Sequence, residues 1–228
     1  MAYVPALAFR ALTPLYDPLA RWTLREDVWR TQLIAQMHLE AGQRVLDLGC
    51  GTATLALLIK QACPGATVLG VDGDPDILAT ARRKVSGAGA AIGLIEGMAW
   101  QPPLAPESID RVVSSLVLHH LSTADKHRTL AAARAVLRPG GELHLADWGE
   151  PHGLLERLAF LGIQLFDGFE TTDDNARGLL VPFMWEAGFV DVEETHRVST
   201  AVGPIALYRA VNPGMRAALS PACEPSSD

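Results

Sequence analysis

The sequence predicts an α/β sandwich, a seven-stranded sheet with helices packed on both faces. Three observations point there. Arg44-Val45-Leu46-Asp47-Leu48 reads as a short apolar strand that breaks into Gly49-Cys50-Gly51, and the helical pattern Leu55-Ala56-Leu57-Leu58-Ile59 follows at once. Thr67-Val68-Leu69-Gly70-Val71-Asp72 is a second apolar run closed by an acid, 25 residues after Asp47. Strand and helix patterns then alternate down the chain, the mark of βαβ units around a sheet.

Each element has its own signal. Residues 24–39 read as a helix, with Val28, Leu33, Ile34, Met37 and Leu39 as its apolar stripe and Gly42 ending it. The first strand is 44–48 and its helix 54–62, closed by the turn Pro64-Gly65. The second strand is 67–72. Pro75 suits the first turn of a helix running to about Val85. A third strand spans about 91–96, a fourth 109–115, a helix 123–137 and a fifth strand 142–147. From 149 the pattern changes to an apolar helix carrying Leu154, Leu155, Leu158, Leu161 and Leu165. Asp167-Gly168-Phe169-Glu170-Thr171-Thr172-Asp173-Asp174-Asn175 reads as a polar loop, and the next helix closes at Ala187-Gly188-Phe189. Residues 190–198 and 201–211 read as two strands joined by a tight turn.

The two acids and the glycine pair define a site. Glycines without Cβ atoms let a ligand approach the backbone, and the helix start behind them presents unpaired N–H groups. An acid at the tip of the second strand suits the hydroxyls of a ribose, so Asp72 marks a nucleoside site. A dinucleotide fingerprint would place a third glycine where Thr54 stands. Asp47 would also repel a pyrophosphate, whereas it suits a ligand with an ammonium group.

At these residues the chain resembles the class I S-adenosylmethionine (SAM)-dependent methyltransferases, whose first motif runs Asp-x-Gly-x-Gly. Gly70-Val71-Asp72-Gly73-Asp74-Pro75 with Ile77 resembles their second strand and helix. Asp110-Arg111-Val112-Val113 leading to Leu118-His119-His120-Leu121 resembles the fourth strand, and Leu137-Arg138-Pro139-Gly140-Gly141 the turn into the fifth. The resemblance covers roughly residues 40–148 and is closest to methyltransferases of quinone biosynthesis and natural products. It implies a three-layer Rossmann-like sandwich with a mixed seven-stranded sheet, an antiparallel last strand pair and a small helical cap. The expected division is an N-terminal helical cap segment 1–40, a SAM-binding core 41–148, a cap insertion 149–188, a strand pair 189–212 and a flexible tail 213–228.

The resemblance also implies roles. SAM would contact Asp47, Gly49, Cys50, Gly51, Asp72, Gly73 and Ile77, then Met98, Ala99 and Trp100 after the third strand, and Ser115 and Leu116 after the fourth. The family's Gly-Asp-Ala after the third strand reads Gly97-Met98-Ala99 here, so the usual adenine-binding acid is replaced by a thioether. Tyr16 either covers the methionine end of the cofactor or packs as an ordinary tyrosine. Trp100 is either a cofactor contact or a core residue. His119 and His120 are candidate general bases, with His152 and Asp147 behind them and a purely structural role as the alternative. Asp147 would serve only if burial raised its pKa.

Composition bounds the partners. The chain has 228 residues, 49% hydrophobic and 20% charged, a net charge of −7 and a pI near 5.5. A mildly acidic chain without basic clusters is a poor nucleic-acid binder. No apolar run approaches the roughly 20 residues that span a bilayer, and no signal peptide is legible, so a cytoplasmic protein acting on a small molecule is expected. Cys50, Cys63 and Cys223 lack metal-ligand spacing. Competing readings are an NAD(P)-dependent oxidoreductase, weakened by Thr54, and a methyltransferase-like binding module without catalysis, favoured by Met98. Oligomeric state and acceptor identity are not legible in the sequence.

Overall fold

The computed structural model of the chain describes residues 24–214, so Tyr16, most of the expected N-terminal segment and residues 215–228 lie outside the described residues. Among the described residues seven strands form one sheet in the order β3-β2-β1-β4-β5-β7-β6. They are β1 (Arg44–Leu48), β2 (Thr67–Asp72), β3 (Ile92–Glu96), β4 (Ile109–Ser115), β5 (Leu137–Trp148), β6 (Val190–Thr200) and β7 (Gly203–Val211). β1 to β5 pair in parallel, and β7 lies antiparallel to both β5 and β6. The sheet is therefore mixed, with an antiparallel last pair. Strand order reverses between β1 and β4, and ligands of open α/β sheets bind at such a switch point, outside the carboxyl ends of the strands.

Helices cover both faces. α1 (Glu26–Gln36), α2 (Thr54–Ala62) and α3 (Pro75–Gly87) bring Trp29, Leu33, Ala56, Ile59 and Ala81 onto one face, over Val45, Val68 and Val113. α4 (Thr123–Val136) and α7 (Leu180–Glu186) bring Leu130, Ala133, Phe183 and Met184 onto the other, over Leu46, Leu48 and Val112. Side chains alternate across a strand, so Val45 and Leu46 feed opposite layers, and Asp47 falls on the side of α2. Phe183 and Met184 are core residues, while Trp185 is half exposed.

Three boundaries differ from the sequence reading. α1 ends at Gln36 and not near Gly42, because His38 already turns left-handed at φ 44°. β5 begins at Leu137, five residues early. Pro139-Gly140-Gly141 is looped out as an irregularity within the strand, where the pairing jumps from Ile109–Leu137 to Arg111–Glu142. The polar stretch after residue 167 is no loop: Phe169–Ala176 forms helix α6, separated from α5 (Leu154–Asp167) by Gly168 at φ 94°.

Tertiary partners hold α6 despite its poor helix formers. Lys126 on α4 is fully buried, and its ammonium donates to the Thr171 carbonyl at 2.6 Å and to Asp174 Oδ2 at 2.9 Å. Thr123 Oγ1 donates to the same carboxylate oxygen at 2.8 Å. α5, by contrast, turns Leu154, Leu155, Leu158 and Leu165 outward, each more than half exposed. Among the described residues no helix is long and apolar enough to cross a membrane.

Removing one partner of a buried ion pair leaves the other charge stranded. Asp174→Ala is therefore expected to cost about 3–5 kcal/mol in urea unfolding. Loss of less than about 1 kcal/mol, the range of an exposed pair, would show that α6 is anchored by other contacts.

Candidate active site

The carboxyl end of β1 coils tightly. Gly49 and Gly51 take φ 77° and 53°, and Ala53, which precedes α2, takes φ 60°. Gly49 and Cys50 donate their N–H groups to the Val71 carbonyl at 2.8 and 3.0 Å, which ties the turn to β2. A Cβ at Gly49 would collide with the Val117 side chain, whereas one at Gly51 would project into open space. Gly49 thus serves packing against the end of β4, and Gly51 faces the crevice. Cys50 is buried, and burial together with the charges of Asp47 and Asp72 pushes its thiol well above the ordinary range. It is a filler in a turn, not a nucleophile.

Asp47 is 1% exposed, and neither carboxylate oxygen has a hydrogen-bond partner among the described residues. Burial pushes its pKa up to about 7, against weaker lowering influences from the Ala56 backbone and the Arg30 guanidinium. A buried acid without donors is expensive to ionise. It becomes affordable when a cation arrives beside it.

Asp72 at the tip of β2 joins the two loops. Its Oδ2 accepts the Gly51 N–H at 2.8 Å and its Oδ1 the Asp74 N–H at 3.0 Å. A carboxylate offers about four lone-pair sites, so roughly two remain for a diol. Asp74 in turn caps α3, its Oδ1 accepting from Asp76 and Ile77 N–H groups at 2.8 and 3.2 Å. Across from this loop Gly97 donates to the Asp72 carbonyl at 3.0 Å, which brings Met98 and Ala99 beside Gly73. The Met98 sulfur would lie 2.7 Å from a Cβ at Gly73, so the thioether rests on that glycine. Trp100 leans toward α4, with the Arg128 guanidinium 5.5 Å from its ring centre.

On the other side of the switch point Ser115 ends β4 half-buried. Leu116 follows at φ 55°, its N–H donated to the Ala146 carbonyl at 2.8 Å. A non-glycine residue in the left-handed region is uncommon and concentrates at functional sites. The short 3-10 turn Leu118–His120 then presents two imidazoles. His119 is buried, and its Nδ1 lies 2.8 Å from Asp147 Oδ1. The same carboxylate accepts N–H groups from Leu118 at 2.9 Å, Trp148 at 2.8 Å and the Asn175 side chain at 3.1 Å.

The condition under which Asp147 would serve as a base, a pKa raised by burial, is not met. Burial does oppose its charge, but His119, the Trp148 N–H and His120 together hold it below the usual carboxylate range. An ionised carboxylate can only accept, so the proton between the two residues sits on His119 Nδ1. His120 stacks on His119 with ring centres 3.9 Å apart. Crowding of its ring, and then any charge on His119, lowers its basicity, although water on its exposed side blunts the effect. His152 is at the surface, 64% exposed, 4.0 Å from Glu150 and outside this cluster.

Asp47, the glycine turn, Asp72, Gly73 and Met98 therefore gather at the ends of β1, β2 and β3, on one side of the sheet's switch point, and Ser115, Leu116, His119 and Asp147 at the ends of β4 and β5, on the other. Two surface recesses lie elsewhere, about 220 Å³ between α1 and α2 and about 330 Å³ beside Arg134 and Asn212, and neither includes these residues. Asn175 is the partner of Asp147 that the sequence hid. It sits in the stretch read as a loop, and only α6 brings it to Asp147.

The chain is similar to known proteins in sequence and in fold. The family described as "Methyltransferase domain" matches residues 45–141. The demethylmenaquinone methyltransferase of Thermus thermophilus is 33% identical over 166 residues, 70% of this chain and 74% of that protein. The chain belongs to the class I SAM-dependent methyltransferases. A demethylmenaquinone methyltransferase of Symbiobacterium thermophilum is 30% identical over 58% of this chain, which spans about half, 53%, of that relative. Among solved structures, phosphoethanolamine N-methyltransferase 2 of Haemonchus contortus in complex with SAM covers 81% of this chain (52% of its own) at a TM-score of 0.66 and 18% identity. The methyltransferase SibL covers 90% (60% of its own) at 0.67 and 23%.

The residues fit SAM as the methyl donor of this enzyme. Asp47 is a buried carboxylate lacking a donor among the described residues, Gly51 leaves open space, and Asp72 has lone pairs left over. The isolation of Asp47 has a measurable signature. A raised acid pKa contributes stability that is complete below about 3.8 and is lost as pH rises through about 7. Relative to Asp47→Asn, the unliganded protein is expected to lose about 2–3 kcal/mol between pH 5 and pH 8 in urea unfolding. A difference that stays flat across that range would mean that the carboxylate is solvated or paired.

Proposed function

We propose that this methyltransferase acts on a small apolar or aromatic acceptor and that the pair His119–Asp147 removes the proton the acceptor sheds. The observation that carries this reading is the Asp147 carboxylate, buried, ionised and held by donors from Leu118, Trp148, Asn175 and His119. Nothing in packing alone requires so costly a charge. It fixes the ring of His119 and keeps Nε2 able to accept a proton.

SAM supplies a methyl group already activated by its sulfonium. The chain's residues have the remaining tasks. Asp72 orients the ribose through its unused lone pairs, and Asp47 receives the ammonium end. His119 Nε2 takes the proton from an O, N or C nucleophile as the methyl bond forms, and Asp147 stabilises the imidazolium. Trp148 packs edge-on to His119 at 6.1 Å and to Phe160 at 6.0 Å, a buried aromatic backing behind the base. The names of two relatives, the Thermus thermophilus protein and a ubiquinone/menaquinone biosynthesis C-methyltransferase of Syntrophotalea carbinolica, support a quinone-like ring as the first acceptor class to try. The net charge of −7 supports a small molecule over a nucleic acid.

Two measurements check the assignment. With a demethylated quinol as acceptor, His119→Ala and Asp147→Asn should each lower turnover by about 10²–10⁴-fold, the usual worth of general-base catalysis. S-adenosylhomocysteine affinity should not change. Undiminished turnover in both variants would remove the base from this pair. Asp72→Ala should weaken S-adenosylhomocysteine by about 1.5–3 kcal/mol in calorimetry, the worth of hydrogen bonds to a charged group. Unchanged binding would move the ribose elsewhere.

A further inference from the structure

The purine end of the cofactor crevice has an unusual wall. A nucleoside held at Asp72 by its ribose must place its base beyond that residue. The side toward β1 is taken up, since the Gly51 N–H already occupies Asp72 Oδ2. The base therefore lies on the side of β3, between Gly73–Ile77 after β2 and Gly97–Trp100 after β3. β2 and β3 run side by side to this point, with Asp72 paired to Glu96.

Several polar side chains border this slot. Asp74 is buried and spends its Oδ1 on two N–H groups of α3. Asp76 and Glu96 are exposed to water. Trp100 stands under Arg128. Among the described residues its apolar wall is Gly73 with the Met98 thioether resting on it, beside the half-buried Ile77. A thioether offers dispersion and only a weak acceptor, so it can grip the face of a ring but does not read an amine at its edge.

We infer that Met98 grips the purine by its face and leaves the 6-amino group unread where a carboxylate could have read it, so that Met98 sets a relaxed base specificity. The ligand class it admits is wider than adenosyl compounds and includes purine nucleosidyl homocysteines altered at position 6. The inference rests on the assignment of the ribose to Asp72.

The test is calorimetric and needs no acceptor. The full-length protein is titrated with S-adenosylhomocysteine and with its 6-deamino analogue, in which hydrogen replaces the amine and the ring nitrogens are unchanged. The two should bind within about threefold, because no charged hydrogen bond is lost. In Met98→Asp a carboxylate faces the amine, and the adenosyl compound should gain tenfold or more over the analogue. Tight binding of S-adenosylhomocysteine with the analogue tenfold weaker in the unaltered protein overturns this inference alone. Equal binding by Met98→Asp overturns the placement of residue 98 at the base edge. Failure of S-adenosylhomocysteine to bind overturns the cofactor geometry on which both stand.

Discussion

The bond between the Asp72 carboxylate and the Gly51 N–H is the constraint on which the crevice depends. It runs between the tips of two adjacent parallel strands and holds the β1 turn against the β2 turn at 2.8 Å. The Val71 carbonyl reinforces it by accepting from both Gly49 and Cys50. Without that tie the coil at residues 49–53, with three backbones in the left-handed region, would have to hold its own shape. The second oxygen of Asp72 organises the entry to α3 through Asp74. One side chain thus sets the positions of the glycine turn, the start of a helix and the ribose-facing lone pairs.

Two buried aspartates at the strand ends show how surroundings divide one chemistry into two. Asp47 and Asp147 are equally inaccessible to water. Asp47 has no hydrogen-bond partner among the described residues, and burial carries it up to about 7. Asp147 gathers backbone, amide and imidazole donors and stays ionised. The first is costly to ionise in the absence of a cation, and the second is a stable anion beside a histidine. They stand at the ends of β1 and β5, on opposite sides of the β1–β4 switch point.

Most of the parallel core was legible because its signals are local. Apolar runs bounded by Gly, Pro and Asp located β1, β2 and β4 to the residue, and the glycine pair and Asp72 marked the turns that follow β1 and β2. The cap was less legible because its order comes from distant partners. The stretch Thr171-Thr172-Asp173-Asp174-Asn175 has loop-like composition, and only Lys126, 45 and more residues earlier, makes a helix of it. Asn175 was hidden for the same reason. α5 misleads in the opposite sense. Its leucines look like core, yet the buried side of the helix is set by Phe160 and Gln164 while those leucines point outward.

Cys50 has a consequence for redox chemistry. Oxidants and electrophiles attack the thiolate, and a thiol pushed far above the ordinary range presents almost none near neutrality. Its burial behind Gly70 also denies a reagent an approach path. The thiol in this glycine turn is therefore shielded first by its burial and then by the charges of Asp47 and Asp72.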